Sequence, residues 1–182
     1  MTPVSAGVGE SRPALSLHDA TVQMTNASTR EEIGDVLTDY LRSAFGCGLL
    51  LIVREGMALG WKGFSPAADA SAIESVAIPL TAPSMLSLAC EGKSIFRGAP
   101  PADGAALQGR LYKLLRCAAP REALVAPVVL KERVVNLVYV HAFDGGILPD
   151  TAVVDLTTAC AAVASAFVRL IQSTKTRPNS PG

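Results

Sequence analysis

The chain has 182 residues, enough for one domain with one sizeable core, and its 49% apolar and 18% charged residues make a globular rather than a disordered composition. Sixteen basic residues balance sixteen acidic ones. The basic excess of a nucleic-acid, polyanion or membrane-surface binder is therefore absent, and neither nucleic acid nor membrane is expected as a partner. The opening "MTPVSAGVGESRPA" has no charged start and no apolar run, so it does not read as a secretory signal. The longest charge-free apolar helical stretch, Leu156 to Val168, is 13 residues, too short to cross a bilayer.

Cysteines stand at 47, 90, 117 and 160, with no Cys-x-x-Cys pair and no histidine placed to complete a zinc site. They read as reduced, buried thiols of a cytoplasmic protein. A redox role for one of them is the alternative, and no metal or other cofactor is expected.

Residues 1–13 are rich in Gly, Pro and Ser and read as disordered, as does the tail from Ser173, which leaves a single domain over 14–172. A short helix is predicted from Leu15 to about Asn26. Ser28 and Glu31 have the Ser-x-x-Glu spacing of a capping box, and Ile33, Val36, Leu37, Tyr40, Leu41, Ala44 and Phe45 follow as a helical stripe that Gly46 ends. "CGLLLIV" is a continuous apolar run of strand length, expected at the centre of a sheet. After the turn Arg54-Glu55-Gly56, "MALGWKGF" alternates Met57, Leu59 and Trp61 and pairs back as a hairpin. Residues 65–72 read as loop and "IESVAIPL" as a third strand, with Pro79 near its end marking an edge or an exit.

Pro83 suits the first turn of a helix through "PSMLSLACE", with Gly92 as its stop and "SIFRG" as a short strand after it. Asp103 is placed to cap a helix on which Leu107, Leu111, Leu114 and Leu115 share a face. "EALVAPVVL" and "VVNLVYVHAF" flank the turn Lys131-Glu132-Arg133 and form the clearest hairpin. Asp150 then caps a last helix. Along it Val153, Leu156, Cys160, Val163, Phe167 and Leu170 fall at alternating spacings of 3 and 4, a coiled-coil-like seam flanked by Ala159, Ala161, Ala162, Ala164 and Ala166.

Three segments look like chemistry. Gly92-Lys93-Ser94 ends like a phosphate loop, but Ser87 stands where its first Gly belongs. The order is also reversed, helix before and strand after, so no nucleotide site is expected there. "GFSPA" around Ser65 lacks the second Gly of a nucleophile elbow and reads as a loop with a solvated serine. His18 reads as a surface residue. His141 sits late in a strand; with strict alternation Leu137, Tyr139, His141 and Phe143 face one way. Two histidines with no evident acidic partner make neither a hydrolytic triad nor a metal site.

The element order, and the stretches "STREEIGDVLTDYLRSAFGCGLLLIV", "LACEGKSIFRGAP" and "LVAPVVLKERVVNLVYVHAFDGGILPDTAVVDLTTACAAVASAFVRL", resemble the GAF domain family over residues 15–172. Asn136 departs from the pattern, standing where the family commonly has Gly in its last strand. The Asn-Lys…Phe…Asp-Glu signature of cyclic-nucleotide binders is absent, and no cysteine has a tetrapyrrole-attachment context.

The resemblance implies an α+β, profilin-like fold. An antiparallel sheet of about six strands would carry the terminal helices on one face and short helices and loops over the other, where many members hold a small molecule. Trp61, Met85, Leu88, Phe96, Tyr112, Tyr139 and His141 are then the candidate ligand-binding residues, each equally explained as core. The implied function is a non-catalytic sensory or regulatory module, with itself as a homodimer and another signalling protein as partners. Its dimer interface would be Val153, Leu156, Cys160, Val163, Phe167 and Leu170. A scaffold whose pocket is filled by its own side chains is the first alternative. A cysteine-based methionine sulfoxide reductase using Cys90 and Cys117 is the second, opposed by the apolar helix faces that carry both thiols.

Overall fold

A computed structural model of the chain describes residues 13–176, and the expected disorder of residues 1–12 and 177–182 lies outside them. Two helices open the fold, α1 (Leu17–Asn26) and α2 (Arg30–Ala44), and the hairpin β1 (Cys47–Arg54) and β2 (Met57–Phe64) follows. Next come α3 (Ala70–Glu74), β3 (Ala77–Pro79), α4 (Met85–Gly92), β4 (Phe96–Gly98) and α5 (Ala105–Leu115). The hairpin β5 (Ala123–Leu130) and β6 (Arg133–His141) leads to the long α6 (Thr151–Lys175). The strands form one six-stranded sheet in the order β3-β2-β1-β6-β5-β4, every adjacent pair antiparallel.

The apolar runs dictate the centre of that sheet. Strands β1, β6 and β5 are buried on both faces over most of their length, so their residues are nearly all apolar, with Asn136 and His141 of β6 the buried polar exceptions. One row across the strands, Leu50, Val138 and Ala126, faces α1, α2 and α6; the next row, Leu49, Tyr139 and Val125, faces α4 and α5. The two rows seed two separate cores, one per face. Both hairpins turn on two left-handed residues, Glu55 and Gly56 in the first and Lys131 and Glu132 in the second, the geometry that matches strand twist. Gly60 is required where α3 crosses β2, because a Cβ there would lie 1.8 Å from the Ile73 carbonyl oxygen.

Several local expectations shift. The cap sits one residue later and is not a closed box: the Thr29 hydroxyl accepts from the Glu32 N–H at 3.1 Å, while the Glu32 carboxylate reaches past the cap to accept from the Ser28 N–H at 2.6 Å. Glu31 is thereby free to pair with Lys62 at 2.9 Å. Ala44 ends α2 with Phe45 as its cap, ahead of Gly46. "IESVAIPL" splits into the end of α3 and a three-residue edge strand, because β2 offers only Met57, Ala58 and Leu59 for pairing. Lys93, in the left-handed conformation, terminates α4, and Gly92 is its last helical residue. A short 3₁₀ turn, Ala102–Gly104, precedes α5, and Asp103 makes no side-chain cap.

The heptad seam of α6 faces inward. Leu156, Cys160, Val163 and Phe167 are buried within the chain, and Val153 and Leu170 pack against the same core. The seam covers the sheet and is therefore unavailable as a dimer interface. The helix also runs through Ser173 and Thr174 to Lys175, past the expected domain end at 172, with Arg169 donating to the Met24 and Ala27 carbonyls at the end of α1. By length and composition α6 is apolar enough to cross a membrane, because apolar turns continue past Asp155 and Arg169, the two charges that bound the 13-residue run, but its inner face is buried against the sheet. Asp150, at its start, accepts from Arg97 at 2.8 Å instead of capping the helix.

Candidate functional site

Helix α4 is capped by Ser84, whose hydroxyl accepts from the Ser87 N–H, and the cap sets Met85 against the sheet. Gln108 of α5 reinforces it by accepting from the Met85 N–H at 3.1 Å and donating to the Pro101 carbonyl at 2.8 Å. The two helices are thus locked together over β5 and β6. Beneath them Met85, Leu111, Leu115 and Tyr139 are fully buried and Tyr112 nearly so. The Tyr112 hydroxyl donates to Met85 Sδ at 3.9 Å, and the Tyr139 hydroxyl lies 2.8 Å from His141 Nδ1, as alternation in β6 requires.

Around this line sit Cys47, Cys117 and Ser65. Ser65 is buried, against the expectation of a solvated loop, and its hydroxyl donates to the Leu115 carbonyl at 2.8 Å. Burial governs protonation throughout. Desolvation pushes Tyr112 and the Cys47 thiol up to about 12, raises Tyr139 well above its ordinary value and holds His141 below its own. Tyrosines, thiol and imidazole are all neutral near pH 7. The cluster stores no charge and presents no thiolate.

The seven expected ligand-binding residues separate. Met85, Tyr112, Tyr139 and His141 converge, but as packed core. Phe96 is half-buried at the short strand β4, paired with Val125. Leu88 points outward and is 51% exposed. Trp61 lies on the opposite face, against α2: Ala58 belongs to the other core, so alternation through Met57 and Leu59 puts Trp61 here, and the register shift between Leu50 and Leu51 brings Lys62 beside it. There the Arg30 guanidinium stands 4.9 Å from the Trp61 ring centre. Phe143 lies beyond the end of β6 and is exposed.

Open space lies elsewhere. A groove of about 450 Å³ between α2 and β2 is lined by Asp35, Arg42, Trp61 and Lys62. A second, about 370 Å³, runs between α6 and β5 past Lys93 and Ser94. A third, about 240 Å³, lies under the C-terminal half of α6 and has Asn136 in its lining. None of these three is lined by Met85, Tyr112 or Tyr139. Two features of these regions escaped sequence reasoning. Arg97 joins Glu122, Asp150 and the Leu148 carbonyl, tying β4 to the start of α6. Arg30 is bracketed by Trp61 and Phe167, ring centres 4.9 and 5.5 Å away. Only Asn136, a polar letter inside an apolar strand, carried a signal.

No protein-family model matches the sequence, and no characterised protein matches it by sequence. Solved structures do match the fold. The GAF domain of an Acinetobacter phosphoenolpyruvate-protein phosphotransferase superposes with a TM-score of 0.67 at 13% identity, covering 90% of this chain and 95% of that one. Residues 122 to 287 of a methyl-accepting chemotaxis protein give 0.67 at 14% identity, covering 87% and 99%. A free methionine-R-sulfoxide reductase from Neisseria meningitidis, solved with its substrate, gives 0.66 at 11% identity, covering 86% and 89%. The six-stranded antiparallel sheet, with terminal helices on one face and short helices on the other, is the GAF-domain fold.

Proposed function

We propose that the chain is a regulatory module of the GAF fold that works by protein contact, pairing with a second copy through the outer face of α6. That outer face carries the reading. Val154, Thr157, Ala161, Val168 and Ile171 are exposed along one flank of α6 and, with the half-buried Ala164, repeat the 3 and 4 spacing of the inner seam. Val154 is 66% exposed, Val168 41% and Ile171 45%. A solvent-facing stripe without charge, with small residues at its middle, suits close approach of an identical helix. The 25-residue helix is long enough, about 37 Å, to supply the roughly 800 Å² per partner of a standard interface.

The packed face under α4 and α5 supports a module with no ligand on that side of the sheet. Raised thiols oppose the reductase reading: burial lifts Cys47 and Cys160 to about 12 and raises Cys90 and Cys117 as well. The signal would pass to another signalling protein by contact.

Sedimentation velocity at tens of micromolar tests the pairing. The wild-type chain is expected as a dimer, and Ala161→Glu and Val168→Glu as monomers with unchanged circular dichroism. A wild-type chain that stays strictly monomeric removes the proposal. Native mass spectrometry of the same sample is expected to show twice the chain mass, with no co-purified small molecule.

A further inference from the structure

We infer that the groove under the C-terminal half of α6, on the opposite sheet face from the one expected to hold a ligand, is a binding site. Its ligand class is a small, flat, apolar organic anion that carries an N–H donor. Three observations meet there. First, Asn136 is fully buried and lines the groove. Its Nδ2 donates to the Leu51 carbonyl at 3.0 Å, which fixes the amide, and its Oδ1 has no hydrogen-bond partner among the described residues. A buried acceptor left unmet costs far more than one that is paired, and a strand position between apolar neighbours gives no packing reason for an amide.

Second, the groove's wall is aliphatic and aromatic, formed by Leu130, Val135, Phe167 and Leu170. Its volume of about 240 Å³ suits a one- or two-ring molecule, below the range of drug-sized pockets. Third, Arg30 lines the same groove, and its guanidinium is held by the Trp61 and Phe167 rings. A ring contact supplies no hydrogen-bond acceptor for its N–H groups, and no carboxylate among the described residues pairs with it. An unmet acceptor, apolar walls and an unpaired cation specify a ligand by complementarity: N–H at one end, a flat hydrocarbon body, a carboxylate at the other.

Three probes on the full chain test this by calorimetry and by NMR titration. Indole-3-acetate has all three features, naphthalene-1-acetate lacks the N–H and indole lacks the carboxylate. Indole-3-acetate is expected to bind tightest, with each of the other two weaker by about fivefold or more. Shifts are expected at the Asn136 side-chain amide and in the last turns of α6. Asn136→Leu should bind indole-3-acetate and naphthalene-1-acetate alike, and Arg30→Gln should bind indole-3-acetate and indole alike. The probe series on the wild-type chain decides the matter even if Asn136→Leu fails to fold. Equal affinity for all three probes, no binding at millimolar concentration, or shifts confined to other grooves would overturn the assignment. So would a crystal soaked with indole-3-acetate that shows only an ordered water on Asn136 Oδ1.

Discussion

Met85 and Leu88 lie on the same helix three residues apart, and both were candidates for a ligand pocket. Their substitutions therefore separate a packed interior from an open one. Met85 has no exposed surface, touches the Tyr112 hydroxyl through its sulfur and is held from behind by the Ser84 cap and Gln108. Truncating it to alanine removes a buried side chain from a place that cannot collapse, because α4 and α5 are locked over the sheet. A cost of about 3 kcal/mol is expected, which for a chain of this size lowers Tm by roughly 6–12 °C. Leu88 is 51% exposed, and its truncation should cost roughly 0.5 kcal/mol or less. Urea unfolding followed by circular dichroism reads both. If Met85→Ala costs under about 1 kcal/mol and matches Leu88→Ala, Met85 borders a cavity and the filled-interior reasoning fails.

Glu132 holds a left-handed φ of 65° in the second hairpin turn, where glycine bears no Cβ penalty. Glu132→Gly should raise stability by roughly 0.5–1 kcal/mol in the same unfolding assay, and a loss would show that the Glu132 side chain matters more than its backbone. Burial holds His141 below its ordinary value, so the unfolded chain takes up the proton first as pH falls. The stability from the neutral imidazole is complete above about pH 6.5 and is lost as pH drops through the lowered folded value. Unfolding at pH 7.0 and 5.5 should accordingly show a shallower pH dependence for His141→Gln than for wild type, and identical slopes would contradict the burial account. With Cys47 and Cys160 near 12, alkylation by iodoacetamide at pH 8 should run on the order of a thousandfold slower than for a free thiol. Cys90 and Cys117 should also lag behind a free thiol; either one reacting at or above the free-thiol rate would reopen the reductase reading.

Local periodicity was enough for the main elements. Two-residue alternation and unbroken apolar runs identify β1, β2, β5 and β6, and 3.6-residue spacing identifies α2, α5 and α6, because each pattern is dictated by which faces must leave water. The two hairpins and the GAF resemblance follow from those elements, whereas the order β3-β2-β1-β6-β5-β4 is decided only by the packed sheet. Short elements were less legible: α3 and β3 share an eight-residue stretch whose split is imposed by how much of β2 is free to pair, and the choice between Ser28 and Thr29 as cap turns on one residue of helical register.

What the chain alone could not decide is which partner each apolar stripe meets. The seam from Val153 to Leu170 has the spacing of an intermolecular contact, yet the sheet of the same chain claims it. Trp61 has the chemistry of a ligand wall, yet it lies on the sheet face that α2 covers, away from α4 and α5. Spacing along a chain says that a surface must be covered. Only the packing of distant segments says by what, because burial is a property of pairs of surfaces.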